Sequence, residues 1–302
     1  MQPERATDRD FLPPLPLASW KDTLATLHMW TQIVGKIRLK LSPLVNHYWN
    51  VPFYLTARGL TTSPMPYGSR TIEVRFDFVE HKLFIEDCDH HLVVSPLVAQ
   101  SVADFYKKLM ASLAELNVHV NIWTMPQEIP DPIPFERDHL HAAYDREAAH
   151  KFWRILVWID SVFKEFRAGF LGKVSPVHFF WGSFDLAVTR FSGKKAPERS
   201  GADPITREAY SHEVSSAGFW PGGGNIDSPH FYSYAAPEPP GFANQRVRPD
   251  AAYYHSQLKE YLLPYDAVRT APSPKAALFE FLHSTYNLAA DLAHWDRATL
   301  ER

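Results

Sequence analysis

One stretch constrains the fold more than any other. Residues 175–193 read SPVHFFWGSFDLAVTRFSG, an apolar, aromatic run that still carries His178, Asp185 and Arg190. A run this apolar is expected to be a buried strand, and a lone carboxylate is costly to bury. Asp185 therefore needs an arginine, a histidine or a ligand as compensation. Side-chain alternation places Trp181, Ser183, Asp185, Ala187 and Thr189 on one face, and Phe180, Phe184, Leu186 and Val188 on the other. The second face is core, whereas the mixed first face can floor a pocket. Structural pairing of Asp185 with Arg190 or Arg58 is the competing reading.

A shorter relative occurs earlier, where residues 42–59 read SPLVNHYWNVPFYLTARG. Both stretches begin Ser-Pro, follow it with a histidine (His47, His178) and place a tryptophan nine residues before an arginine, as Trp49/Arg58 and Trp181/Arg190. The surrounding elements repeat in the same order: a long amphipathic helix, Ser-Pro, an aromatic strand, further strands, Ser-Pro and a closing helix. The pattern predicts an α+β fold by internal duplication, two pseudo-repeated halves that each pack long helices on an antiparallel sheet.

The expected boundaries are an extended arm at residues 1–18, a first half at 19–123, a proline-rich join at 124–146 and a second half at 147–302. Helices are predicted over 20–41, from Ser95-Pro96 to about 116, over 147–171, around 253–261, and from Ser273-Pro274 onward. A Ser19/Asp22 capping box is expected to open the first. Strands are predicted at 51–58, 72–78, 83–85, 92–94, 118–122, 208–218 and 231–235, with a polar loop at 194–207.

Within EAYSHEVSSAGFWPGGG, strand geometry groups Glu208, Tyr210 and His212 on one face, with Ser211, Glu213 and Ser215 on the other. His212 is the candidate general acid or base, and Glu213 joins it only through a bulge. The candidate catalytic set is thus His178, Asp185, His212 and Glu213. His47, Trp49, Arg58, Trp181, Arg190, Tyr210 and Trp220 are the candidate substrate-binding residues. An alternative uses His178, Asp185 and His212 as a two-histidine, one-carboxylate metal set. A second alternative is a non-catalytic module that binds a ligand or protein through a tryptophan-rich surface. His139 and His141 beside Asp138 have ligand-like spacing but sit in a loop, and His90-His91 reads as surface.

Composition narrows the partners. A formal charge of −3, with no basic stripe, argues against nucleic acid. The single cysteine excludes an internal disulfide, and no apolar run approaches the roughly 20 residues of a membrane span. A soluble, cytoplasmic protein with a small-molecule ligand is expected. Cofactor and oligomeric state stay open.

The motifs SPVHFFWGSFDLAVTRFSG and EAYSHEVSSAGFWPG resemble the bacterial domain-of-unknown-function family 5996. So do DTLATLHMWTQIVGKIRLKLSPLVNHYWNVPFYLTARGLTTSP and the closing YNLAADLAHWDRATLE, so the resemblance covers nearly the whole length. It implies no activity and assigns no site residue.

Overall fold

A computed structural model describes residues 12–302. It shows an α+β fold in two halves, each carrying an antiparallel six-stranded sheet flanked by long helices. In the first half, α1 (Lys21–Leu41) leads into β1 (Tyr54–Leu55), β2 (Gly59–Thr61), β3 (Met65–Tyr67), β4 (Arg70–Asp77), β5 (Lys82–Asp87) and β6 (Leu92–Pro96), closed by α2 (Val102–Glu115). The strand order is β1-β2-β4-β5-β6, with β3 paired to β4.

In the second half, α3 (Arg146–Ala168) precedes β7 (His178–Phe180) and β8 (Asp185–Lys195). The short α4 (Pro204–Ala209) follows, then β9 (His212–Trp220), β10 (His230–Ala236), β11 (Tyr253–His255) and β12 (Glu260–Pro264). The chain ends with α5 (Tyr265–Arg269), α6 (Pro274–Leu292) and α7 (Arg297–Leu300). Here the strand order is β11-β12-β10-β9-β8-β7.

The halves share one core. Trp20 packs on Phe152 of α3 with ring centroids 5.1 Å apart, and buried residues of both halves form one continuous cluster. The sheets meet edge to edge, where Phe53 and Phe179 exchange two backbone hydrogen bonds of 2.9 Å. Of the expected arm, residues 1–11 lie outside the described residues. Leu12 and Leu15 are buried, and Tyr265 donates to the Pro13 carbonyl at 2.9 Å.

The repeat holds for the order of elements and fails for the residues used to align it. Trp49 follows the short turn Asn46–Tyr48, ahead of β1, whereas Trp181 lies beyond β7. Arg58 sits before β2 and Arg190 inside β8. The 175–193 stretch is a hairpin rather than one strand, because Trp181–Phe184 forms a turn with Phe184 at φ 60.

Other expectations are also corrected. Ser19 bonds back to the Pro16 carbonyl instead of capping α1. Ser95-Pro96 belongs to β6, and α2 starts later with Ser101 as its N-cap. Residues 118–122 form no strand, and the helix expected at 253–261 is the β11–β12 hairpin. Residues 204–209, split between an expected loop and an expected strand, form α4, capped by the Asp203 carboxylate.

Gly35 shows how tightly the halves meet. A Cβ there would lie 2.3 Å from the Trp181 ring, whose indole N–H donates to the Val51 carbonyl at 2.8 Å. Alanine gains about 1 kcal/mol in helix propensity, but overpacking a tight core costs about 1–3 kcal/mol. Gly35→Ala is therefore expected to lower the unfolding free energy in denaturant titration and to shift tryptophan emission. A more stable variant would contradict the packing described.

Candidate functional site

A cavity of about 580 Å³ lies where the two halves meet. Its floor is one face of the second sheet, supplied by alternate residues of each strand: Asp185, Ala187, Thr189 and Phe191 of β8, and Val214, Ser216 and Trp220 of β9. Tyr232 and Tyr234 of β10 and Glu260 and Leu262 of β12 extend it. His47, Tyr48, Trp49 and Val51 of the first half form one wall, and Ile205, Thr206 and Ala209 of α4, with Tyr210, form another. Trp181 and Gly182 close one end together with Gln127 and Glu128.

The join is fixed by α1. The Gln32 side chain accepts from the Gln127 N–H at 2.7 Å and donates to the Gln127 carbonyl at 2.8 Å. That clasp sets Glu128 at the cavity edge, with φ 54. His28 holds the neighbouring turn through the Gly182 carbonyl at 2.8 Å, and burial drops its pKa to about 4.

Asp185 dominates the floor. It is buried, with 6% of its surface exposed. Its Oδ2 accepts a short hydrogen bond from the Tyr232 hydroxyl, while Oδ1 has no partner. The tyrosine can reach it because it lies across Gly218, its cross-strand neighbour; a Cβ on Gly218 would sit 2.3 Å from the Tyr232 ring. Burial raises the Asp185 pKa to about 7, with Glu128 adding to the rise and the Tyr232 bond opposing it. Glu260 is likewise raised to about 7, by burial and then by the charge of Asp185. Tyr232 and Tyr234 stack 6.2 Å apart, and burial pushes both phenols well up. Tyr234 and Tyr210 share a hydrogen bond of 3.0 Å, as Thr189 and Ser216 do at 2.9 Å.

His47 lines the rim with both ring nitrogens occupied. Nδ1 lies 3.1 Å from the Glu208 carbonyl, which can only accept, so Nδ1 carries the proton. Nε2 then accepts from the Lys173 ammonium at 2.6 Å. Burial, followed by Lys173, lowers the His47 pKa and keeps the ring neutral. Lys173 also lies over Trp49 and Phe191, at 5.3 and 5.0 Å from the ring centroids.

Among the candidate residues, Asp185, His47, Trp49, Trp181, Tyr210 and Trp220 line the cavity together. The others do not. His178 stands opposite Ala187 but is covered by Trp49 and Tyr54. It is buried, and burial plus the charges of Arg38 and Arg167 drop its pKa to about 3. His212 touches the back of His47, with ring centroids 5.5 Å apart, and bonds Ser211. Glu213 follows it in β9 and accepts from Ser192 at 2.8 Å.

Arg190 points into the opposite core, because it is out of phase with Asp185 along β8; its guanidinium lies 3.5 Å from the Phe166 ring centroid. Arg58 pairs with Asp77 and Glu80 in the first sheet. Asp185 is thus paired with neither arginine. His178, Asp185 and His212 do not converge, and no group of three or more His, Cys, Asp or Glu among the described residues is placed to hold a metal ion. Asp138 is structural: it accepts from His141 Nδ1 at 2.7 Å, and its carbonyl accepts from Ala103 in the first turn of α2.

Sequence reasoning missed Glu128, Tyr232, Tyr234 and Glu260. The two tyrosines were detectable as the odd polar phase of the strand predicted at 231–235. Glu260 was hidden by the helix predicted there.

These features define an α+β protein with an acidic, aromatic-walled cavity on one face of its second antiparallel sheet, where the two halves meet. The family model that matches it, over residues 12–302, is that of a family of unknown function, DUF5996, and the chain belongs to this family. No curated protein and no solved structure matches the chain. Among the described residues, no helix is long and apolar enough to cross a membrane.

Proposed function

We propose that the chain binds a small molecule in this cavity and transforms it by acid–base chemistry that uses its own carboxyl groups and no metal. The observation that carries the reading is the pair Asp185 and Glu260, both held near pKa 7 in one aromatic-walled cavity. A carboxyl group poised at neutrality gives up and takes back a proton with little penalty in either direction, which is what a general acid or base requires. The volume, about 580 Å³, suits a ligand of ordinary metabolite size. Asp185 would exchange the proton, with Tyr232 holding its second oxygen in place. Glu260 would serve as the counterpart in the opposite protonation state, since two neighbouring carboxyls resist ionising together. His47 would shape the rim without titrating, both of its nitrogens being engaged.

The test is to incubate purified protein with a mixture of cell metabolites and follow consumption by mass spectrometry. Wild type should deplete at least one compound, and Asp185→Asn and Glu260→Gln should slow that depletion by about 100-fold or more, the usual contribution of a general acid or base. Depletion by both variants at the wild-type rate would overturn the acid–base reading. Retention of a compound without its conversion would make the chain a binding module instead.

A further inference from the structure

We propose that the ligand of this cavity is an organic cation, an amine carried on a flat or aliphatic frame. The inference rests on the cavity being the functional site, and three observations on its lining lead to it. First, the lining includes three carboxylic residues, Glu128, Asp185 and Glu260, and among the described residues it holds no lysine or arginine. Lys173 donates to His47 Nε2 from outside the lining, and burial lowers the pKa of both lining histidines, His47 and His230, so neither supplies a positive charge at neutrality.

Second, Asp185 Oδ1 is buried and makes no hydrogen bond, so once the carboxyl ionises this oxygen is an acceptor without a donor. A buried acceptor left unsatisfied costs about 1–3 kcal/mol, and an ammonium N–H facing it would remove that cost. Third, the rings of Trp181 and Trp220 line the same space, and indole faces attract ammonium groups, as the Lys173 ammonium over Trp49 shows at the rim. An anion would make the Asp185 and Glu260 carboxyls still harder to ionise, and a neutral polyol brings no charge that favours their ionised form.

The same arrangement predicts a thermodynamic signature. Asp185 is faced by Tyr232 from β10, Glu128 from the join and Glu260 from β12. None of these is cationic, so nothing offsets the burial that keeps protons on the Asp185 and Glu260 carboxyls up to about pH 7. A bound ammonium supplies the missing charge, so the carboxyls ionise and binding at pH 7 releases protons.

The test is calorimetry at pH 7 with tryptamine, phenethylamine and agmatine. Tryptophol and phenethyl alcohol serve as neutral counterparts, and indole-3-propionate as an anion. At least one amine should bind, about tenfold or more tighter than the matching alcohol, a difference of about 1.4 kcal/mol. The anion should not bind. The heat of amine binding should vary with the ionisation enthalpy of the buffer, and Asp185→Asn and Glu260→Gln should each weaken it about tenfold while melting cooperatively.

An alcohol that binds as well as its amine, or the absence of binding by every amine, overturns the assignment. The two readings fail separately. If the alcohols bind and Ala187→Trp, which fills the floor, abolishes that binding, the cavity stands and only the cation is wrong. Metabolite depletion that survives in Asp185→Asn removes the catalytic reading, whatever the amines do.

Discussion

Replacing Asp185 with asparagine is expected to change stability little near pH 4 and to raise it by about 4 kcal/mol at pH 8. The folded protein holds this carboxyl near pKa 7, against an ordinary value of 3.8, chiefly because burial penalises the charged form. Below about pH 3 the group is protonated both folded and unfolded, so it contributes no pH dependence. Between pH 4 and 7 the unfolded chain ionises it while the folded protein keeps the proton, and stability falls as pH rises. Above 7 the whole penalty is present, because the folded state must then bury the charge. Asparagine mimics the protonated acid in shape, can still accept from Tyr232, and never ionises. Urea titrations at pH 4, 6 and 8 would follow this directly. Glu260 adds a second, coupled slope with the same sign, so Glu260→Gln should also flatten the profile. A variant less stable than wild type at pH 8 would mean that Asp185 has a counter-charge in solution.

Arg190→Ala is expected to cost about 3 kcal/mol or more, because it removes a large buried side chain from a close-packed site. The guanidinium is 3.5 Å from the Phe166 ring centroid, 4.3 Å from Tyr286 and 5.0 Å from Phe170. It also donates to the Phe166 carbonyl. Burial lowers its pKa to about 10, which still leaves it charged at neutrality. The side chain ties β8 to α3 and α6, and the terminal segment docks beside it, with Arg302 N–H donating to the Gly169 carbonyl at 3.2 Å. Arg190→Met should recover much of the loss through its apolar stem. Chemical denaturation separates these outcomes, and a loss below about 1 kcal/mol, the usual range of a surface substitution, would show that the stack holds little.

The alternation in 185–189 was legible in the sequence, and it led to the cavity floor. Asp185, Ala187 and Thr189 share that face, with Leu186 and Val188 beneath it. By the same phase Arg190 belongs to the core, a consequence the sequence already contained. The hairpin at Trp181–Phe184 was not legible, because only the Gly182-Ser183 pair signals a turn within a run of bulky residues. Across that turn the phase resets, so Phe180 and Asp185 are cross-strand partners on one face.

The β11–β12 hairpin was hidden for a related reason. Lys259, at φ 58, occupies a left-handed position where no glycine or asparagine announces a turn. Glu128 reaches the cavity only through the Gln32–Gln127 clasp, a long-range contact with no local pattern. The tryptophan–arginine spacing suggested the right number of halves and the wrong residue equivalences, since nine residues of separation recur in elements of different shape.

The central claim, that two carboxyl groups stand poised at neutrality in one cavity, is tested most directly by carboxyl-carbon NMR titration of the folded protein. Two resonances should titrate with apparent midpoints near pH 7, well above the ordinary carboxylate range. Asp185→Asn should remove one and shift the other downward, because it takes away the neighbouring charge. If Asp185 and Glu260 both titrate near pH 4 in the folded protein, as exposed carboxylates do, the cavity lacks the acid–base pair and the account fails.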